Sequence, residues 1–207
     1  MNIIYLLFHG LSPYSGISKK ILHQVKGFEA CGHRVSLCTY SIADNGHRVR
    51  MINNEIIEDY GTGKPAAAKR RVSYQCIYRY AVTHQVELIY VRSFHNANPF
   101  TIRLFSKLRK AGIKIAMEIP TYPYDSEYAG FPLVTRLGIQ VDKVFRKTLA
   151  KHVNAIVTFS DYHCIFGQRT IQISNGVDFD SIPLKKTVSK NTSVIHLLGV
   201  AEVHYWH

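Results

Sequence analysis

Short apolar runs alternate with longer amphipathic segments along most of the chain, which is the pattern of an α/β protein. Apolar runs of strand length lie at residues 3–8, 34–40, 87–91, 113–118, 154–158 and 170–173. Segments with apolar residues at helical spacing lie at residues 17–31, 65–84, 98–111 and 132–151. Because parallel strands need helical crossovers between them, this order predicts a doubly wound, mainly parallel sheet.

Turn-forming residues mark several of the predicted boundaries. Gly32 stands where a left-handed residue ends the first helix. Two strand-like runs within residues 47–59 flank Asn53-Asn54, which predicts a hairpin or a short excursion from the main sheet. Pro65 occupies a first-turn position of the second predicted helix.

The composition changes near the C-terminal end of the sequence. Residues 180–193 are polar and lack periodicity, which favours a linker. The apolar run at residues 194–200 then predicts a buried strand. We therefore expect a first domain at 1–179, a linker at 180–193 and the first strand of a truncated second domain at 194–207.

Composition favours a globular cytoplasmic protein. The chain has 207 residues, of which 46% are hydrophobic and 19% are charged. No stretch approaches the ~20 apolar residues of a membrane span, and the N-terminus has neither a basic leader nor a small-residue cleavage site. The cysteines lack a C-x-x-C pair, so separate reduced thiols are predicted at Cys31, Cys38, Cys76 and Cys164.

Charge is the compositional outlier. The formal net charge is +12, which is enough to attract an anionic partner through a long-range field. Nucleic acid, anionic lipid and phosphorylated small molecules all satisfy that requirement.

The loop after the first strand is a candidate binding site because ligands of open α/β sheets bind at the carboxyl ends of the strands. Ser15, Gly16 and Ile17 form a small turn that directs backbone N–H groups toward a ligand at a helix N-terminus. Gly16 is expected to adopt a positive φ there. The alternative is a plain tight turn in which Ser15 or Ser18 caps the helix. The G-x-G-x-x-G fingerprint is absent, which argues against a dinucleotide oxidoreductase.

Later strand ends carry further candidates. Arg92 follows one predicted strand, and Glu118, Tyr122 and Asp125 follow the next. Carboxylates accept hydrogen bonds from sugar hydroxyls and aromatic rings stack on sugar faces, so this mixture suits a sugar or acceptor pocket. A proline-stiffened surface loop is the alternative. Ser160 follows the strand at 154–158 and is either a binding residue or the N-cap of a short helix.

No metal centre or catalytic nucleophile is predicted. The 11 histidines show no H-x-x-x-H spacing and no carboxylate clustering on one helix face. The G-x-S-x-G motif of a nucleophilic serine is also missing.

Three segments together carry a family resemblance. They are the loop at residues 10–16, the segment at 27–35 that reads Gly-Phe-Glu-Ala-Cys-Gly-His-Arg-Val, and Ile-Ser-Asn-Gly-Val-Asp at 173–178. In this order they resemble the amino-terminal half of a GT-B glycosyltransferase of family four, also called group one. Residues 198–207 are similar to the start of that family's second domain.

The resemblance implies a Rossmann-like first half of a GT-B fold and a retaining hexosyltransferase activity. Such an enzyme moves a sugar from a nucleotide-sugar donor to a glycan or lipid-linked acceptor, without a metal and with the nucleotide-sugar as co-substrate, here in surface polysaccharide synthesis. The first domain mainly holds the acceptor, and Asn175, Gly176 and Asp178 lie in the family's closing loop. The catalytic carboxylates belong to the second domain, so this fragment is expected to be inactive.

Two positions depart from the family pattern. Many members have two consecutive glycines where this chain has Ser15-Gly16. Many also have a donor-contacting histidine at the strand end where this chain has Glu118.

A basic module for nucleic acid or anionic lipid, without catalytic activity, is the alternative function. A basic and aromatic patch supports it, formed by Lys64, Lys69, Arg70, Arg71, Tyr74, Tyr78, Arg79 and Tyr80. The absence of helix-turn-helix, RNP-like and zinc signatures argues against nucleic acid. One extended basic face would favour nucleic acid, whereas a patch beside an apolar helix face would favour lipid.

A peripheral site on the inner face of the membrane is the corresponding expectation for lipid. The helix at 132–151 has an apolar stripe formed by Val134, Leu137, Val141, Val144 and Thr148. Its neighbouring cations are Arg136, Lys143 and Lys147, to which the helix at 65–84 adds Arg70 and Arg71. The alternative is that this stripe packs on the sheet as core.

Overall fold

The computed structural model describes residues 1–93, 95–124, 133–176, 178, 182 and 183, without the side chain of Val134. Contacts along the chain divide it into the units Met1–Gly176 and Val177–His207, and the fold given below is that of the first unit. The predicted strand at 194–207 and most of the predicted linker lie outside the described residues, so both stay predictions.

The described chain contains nine strands and five helices. The strands are β1 Asn2–Leu6, β2 Arg34–Ile42, β3 Arg48–Ile52, β4 Glu55–Asp59, β5 Leu88–Arg92, β6 Lys114–Glu118, β7 Ala155–Thr158, β8 Cys164–Ile165 and β9 Gln168–Gln172. The helices are α1 Gly16–Ala30, α2 Gly63–Val72, α3 Gln75–Thr83, α4 Pro99–Lys110 and α5 Leu133–Ala150.

All nine strands join one sheet in the order β4-β3-β2-β1-β5-β6-β7-β9-β8. The pairs from β2 to β9 are parallel, while β3, β4 and β8 add antiparallel edges. The prediction of an α/β protein with a mainly parallel sheet is therefore confirmed. The chain runs from β1 outward to β2 and then returns to the other side of β1 with β5. The strand order thus reverses between β1 and β5, which is where such sheets bind ligands.

Two turn predictions are confirmed by the backbone. Gly32 has φ +79° after α1. Asn53 and Asn54 connect β3 to β4 with φ values of 49° and 70°, as a two-residue hairpin turn requires. Asn53 also ties this hairpin to β2, because its Oδ1 accepts from the Leu37 amide at 2.8 Å.

The single helix predicted at 65–84 is wrong, since two helices occupy that segment. Ser73 between them is extended, with φ −101° and ψ 109°. Long-range contacts account for the break: the Tyr60 hydroxyl donates to the Ser73 carbonyl at 3.3 Å, and the buried Tyr74 ring meets the edge of Phe8 at 5.8 Å. The short strand β8 is an addition that the sequence pattern did not predict.

The helices lie on both faces of the sheet. On one face α1 packs over a core formed by Ile3, Tyr5, Leu7, Ile21 and Tyr90. On the other face α3, α4 and α5 cover a larger core that includes Ile77, Phe105, Leu108 and Leu149. The two buried tyrosines under α1, Tyr5 and Tyr90, place their hydroxyl groups in an apolar layer. These hydroxyls need hydrogen-bond partners, and those partners define the site.

Candidate functional site

A buried ion pair lies beside the point where the strand order reverses. Arg92 ends β5 and Glu118 ends β6, and the two residues are direct partners in the parallel register. The Arg92 guanidinium donates to Glu118 Oε1. Glu118 is fully buried and Arg92 is 8% exposed. The two residues that the sequence placed at neighbouring strand ends are thus brought into contact.

Three more donors surround the Glu118 carboxylate. The Tyr90 hydroxyl donates to Oε2 at 2.7 Å, and Gln24 Nε2 donates to the same oxygen at 2.9 Å. Lys20 Nζ lies 3.9 Å from Oε1. The Tyr5 hydroxyl completes the network by donating to Gln24 Oε1 at 2.6 Å. Because both carboxylate oxygens accept hydrogen bonds and are buried, Glu118 holds these neighbouring side chains in place.

Burial sets the protonation states of the network. It raises the pKa of Tyr90, and the Glu118 charge raises it further, so this phenol stays a donor at neutral pH. The pKa of Tyr5 is raised for the same two reasons. Burial also lowers the pKa of Lys20, against the attraction of Glu118. The Lys20 ammonium also lies 3.5 Å from the centre of the ring of Phe159, the residue that follows β7.

Sequence reasoning missed four members of this network. They are Tyr5, Lys20, Gln24 and Tyr90. A signal existed for the tyrosines, because a hydroxyl within an apolar strand requires a buried partner. A signal existed for the α1 residues too: Lys20 and Gln24 are four positions apart, so they share a helix face next to the buried Ile21.

The loop after β1 approaches this network through His9. Its Nδ1 donates to the Gly10 carbonyl at 2.7 Å. Burial and the nearby Arg92 charge hold the pKa of His9 below its usual value. Gly10 packs so closely on β2 that a Cβ there would lie 2.9 Å from the Tyr40 carbonyl oxygen. Only glycine fits that position without a backbone shift.

The turn that begins α1 is open on its outer side. Ser15 is the N-cap, but its side chain makes no cap hydrogen bond; Ser18 Oγ instead accepts from the Ser12 amide at 2.9 Å. The positive φ expected at Gly16 is wrong, because Gly16 begins the helix with an ordinary φ. No heavy atom lies within 4 Å of a Cβ built there, and Ile17 is 52% exposed. The turn therefore leaves open space beside Gly16 for a ligand, and the Gly16 backbone is not strained.

Aromatic side chains gather where β6 and β7 end. Tyr122 meets Tyr162 at 4.9 Å and Phe166 at 5.5 Å, in both cases nearly perpendicular. The Tyr122 amide donates to Ser160 Oγ at 3.0 Å, which ties the two loops together. The N-cap alternative for Ser160 is wrong, since no helix follows it before β8. Asp125 lies outside the described residues.

The predicted closing loop follows the last parallel strand directly. β9 ends at Gln172, and Asn175 and Gly176 beyond it are exposed. Asp178 is half-buried. The boundary between the two units falls between Gly176 and Val177, inside the Asn-Gly-Val-Asp segment.

The basic and aromatic patch of α2 and α3 is divided among internal contacts. Tyr74 is buried. Lys69 and Arg79 both pair with Glu58, at 4.0 and 3.7 Å. Arg70 is half-buried and stacks on the Tyr40 ring, while Arg71 is exposed. This division disfavours the extended basic face that nucleic-acid binding would use.

The apolar stripe of α5 faces outward. Leu137 is 58% exposed and Val144 is 70% exposed, and Val141 and Thr148 are exposed as well. The expectation that this stripe packs on the sheet as core is therefore wrong. The buried positions of α5 include Ile139, Asp142, Leu149 and Ala150 on another side of the helix.

Cations flank that stripe. Arg136 and Lys147 are exposed, and Lys143 is half-buried. Among the helices that the structure describes, none combines the length and the apolarity of a membrane span. The described part of α5 thus exposes an apolar stripe with cations beside it.

Two further features concern the bonding of the cysteines and the arrangement of the possible metal ligands. All four cysteines are free, and burial raises the pKa of Cys38 to about 11. Within the described ranges, no group of three or more His, Cys, Asp or Glu side chains is arranged to hold a metal ion.

Comparison with known proteins gives no further assignment: no family model matches the chain, and neither does any curated protein.

Proposed function

We propose that this chain is the acceptor-binding half of a retaining GT-B glycosyltransferase of family four. The observation that carries the proposal is the position of the Asn-Gly-Val-Asp segment. It directly follows the last parallel strand and contains the boundary between the two units, as the family's closing loop would. The reversal of strand order between β1 and β5, with charged groups beside it, supports the same assignment.

The described residues suit two parts of such a reaction. The N-terminus of α1 and the Lys20 ammonium form a positive edge that fits the phosphates of a nucleotide-sugar. Glu118 holds Lys20 and Arg92 in place at this edge. Tyr122 and Tyr162 supply ring faces and edges that fit an acceptor sugar. No catalytic group is assigned among the described residues, because the resemblance puts the catalytic carboxylates in the second domain.

Acceptor binding tests the proposal. Isothermal calorimetry with N-acetylglucosamine linked to farnesyl diphosphate, and an array of oligosaccharides, would cover lipid-linked and free acceptors. We expect a saccharide to bind and Y122A or Y162A to weaken it about tenfold, the value of one lost ring contact. Val82→Ala, an exposed change in α3, is the control. Failure of every saccharide to bind, together with binding of RNA that weakens steeply with salt, would favour the alternative function.

Donor binding gives a second test. UDP-glucose and GDP-mannose should bind this chain only weakly, with Kd on the order of 1 mM, and no sugar should be transferred. A nucleotide Kd below 1 µM, on the order of a complete site, would contradict the proposal because the donor pocket would then lie in the described domain.

We further propose that α5 docks the protein on an anionic membrane, where a lipid-linked acceptor would lie. The exposed stripe and the cations beside it carry this step. Co-sedimentation with phosphatidylcholine vesicles containing phosphatidylglycerol should show binding that weakens with salt.

Paired variants separate the two contributions to docking. L137S/V144S should lower vesicle binding about tenfold or more through lost apolar burial. R136Q/K147Q should lower it by a similar factor, since each basic residue contributes about 1 kcal/mol near an anionic surface. Lys110→Gln, an exposed change in α4, is the control. Equal sedimentation of all variants, or none at low salt, would exclude this docking surface.

A further inference from the structure

Three arginines lie around Tyr40 of β2, and a fourth arginine follows one of them in the chain. Arg48 and Arg50 alternate on β3, so their side chains share one face. Tyr40 of β2 lies at the centre. Arg48 Nη1 donates to its hydroxyl at 2.7 Å, the Arg70 guanidinium stacks on its ring at 4.1 Å, and Arg50 is its direct partner in the antiparallel register. Arg71 follows Arg70 in α2 and is exposed.

No ion pair joins any of the four guanidinium groups to a carboxylate within the described part of the chain. Glu58 is the register partner of Arg50 on β4, but its carboxylate pairs with Lys69 and Arg79. No carboxylate of the described residues therefore neutralises the positive charge near Tyr40 through an ion pair.

Hydrogen-bond donors in the cluster are also unused. Arg50 is 1% exposed and donates from Nη1 to the Leu7 carbonyl at 2.7 Å. Its buried Nε has no hydrogen-bond partner, and the same is true of the buried Nε of Arg70. Burial lowers the pKa of Arg70, and so do the neighbouring guanidinium groups of Arg71, Arg48 and Arg50. This direction is consistent with several positive charges lying close together. Burying charged donors without partners is unfavourable, and a bound anion would reduce that cost in free energy.

We propose that this cluster is a binding site for a phosphate or diphosphate group. The planar fork of arginine matches phosphate oxygens in pairs, which a lysine does not. The half-buried Arg48 and Arg70 and the exposed Arg71 contact the anion, while the buried Arg50 contributes charge from beneath. Tyr40 holds Arg48 through its hydroxyl and Arg70 through its ring.

The site is separate from the Glu118 network. Cys38 and Tyr40 alternate on β2, and Cys38 belongs to the core on the face opposite α1. The Glu118 carboxylate instead meets Gln24 of α1. The proposal therefore goes beyond the proposed function, and anion binding at this cluster does not require sugar transfer.

Calorimetry with inorganic pyrophosphate at low salt tests the site. One pyrophosphate should bind per chain, and R48Q/R70Q should weaken it about tenfold to a hundredfold, as expected for lost charged hydrogen bonds. R71Q, an exposed change that leaves the fold intact, should weaken it severalfold. R103Q/K110Q removes the same charge from exposed positions of α4 and is the control.

Thermal unfolding distinguishes a binding role from a structural one. Without anion, R48Q/R70Q should melt no lower than the wild type if repulsion in the cluster is relieved. Pyrophosphate should raise the Tm of the wild type but not of R48Q/R70Q, because a ligand stabilises only the state it binds. Glucose 1-phosphate and farnesyl diphosphate, added as separate arms, distinguish a soluble from a lipid-linked source of the group.

Three results would overturn the proposal. The first is no pyrophosphate binding at low salt. The second is equal weakening by R48Q/R70Q and R103Q/K110Q, which would indicate attraction by net charge alone. The third is one-to-one binding that R71Q and R48Q/R70Q leave unchanged, which would place the anion elsewhere.

Discussion

Glu118→Gln should strongly destabilise the fold although it changes the side-chain volume little. Both oxygens of Glu118 accept hydrogen bonds, Oε1 from Arg92 and Oε2 from Tyr90 and Gln24. A glutamine keeps one oxygen and turns an NH2 group toward a donor in either orientation. The change therefore leaves a donor facing a donor and a buried guanidinium without its counter-charge.

The expected cost follows from the burial of the pair. Glu118 is 0% exposed and Arg92 is 8% exposed, so solvent cannot replace the lost partner. Breaking one side of such a pair costs about 3–5 kcal/mol. For a domain of this size each kcal/mol lowers Tm by about 2–4 °C, so a fall of about 10 °C is expected.

Urea and thermal unfolding followed by circular dichroism measure this cost. Glu29→Gln, an exposed change in α1, removes the same charge and should change stability by less than about 0.5 kcal/mol. R92M/E118Q, which removes both charges and keeps an oxygen acceptor for Tyr90 and Gln24, should recover part of the loss. If E118Q proves as mild as E29Q, the carboxylate does not hold the surrounding donors and the account of this network is wrong.

Three further predictions concern other parts of the fold. Burial holds the folded-state pKa of His9 below 6.5, so the contribution of neutral His9 to stability is complete above pH 6.5 and is lost as the pH falls through the folded pKa. The stability of H9Q, measured by urea titrations between pH 5 and 8 (roughly the histidine range), should therefore fall less with acid than that of the wild type; identical pH profiles would contradict this. Gly32→Ala should cost about 1 kcal/mol at φ +79° whereas Gly16→Ala should be neutral or stabilising, as chemical denaturation will show; equal costs would refute the assignment of the two backbones. Leu137→Ser should leave Tm within about 2 °C of the wild type, because its side chain is 58% exposed; a large fall in Tm would mean that the stripe is core.

Periodicity predicted most of the sheet because local signals and burial agree in these strands. The run at residues 3–8 is apolar on both faces, and β1 is central with both faces covered. The pair Asn53-Asn54 predicted the hairpin because few residues tolerate two consecutive positive φ values. The break at Ser73 could not be predicted in this way, since its cause is Tyr60, thirteen residues away in sequence.

The site was predictable only where strand ends are neighbours. Arg92 and Glu118 end adjacent parallel strands, so their pairing follows from topology once the strands are assigned. Lys20 and Gln24 reach Glu118 only because α1 crosses the sheet at that point, which no local pattern encodes.

Which face of α5 is buried was likewise not decidable from spacing. Leu137, Val144 and the buried Ile139 and Leu149 form competing apolar directions on one helix. Asp142 decides between them in the structure, because its carboxylate is buried and accepts from the Ala97 amide at 2.8 Å. A polar anchor thus turns one apolar face inward and leaves the other exposed.

The central claim is that acceptor sugars bind at the carboxyl ends of the strands, and mapping by NMR tests it most directly. Amide resonances of the labelled chain would be followed while N-acetylglucosamine linked to farnesyl diphosphate is added. The account predicts shifts at Tyr122, Ser160 and Tyr162, where the acceptor sugar would bind, and little change at the amino ends of the same strands. Shifts confined to the amino ends, or no shifts at saturating ligand, would contradict it.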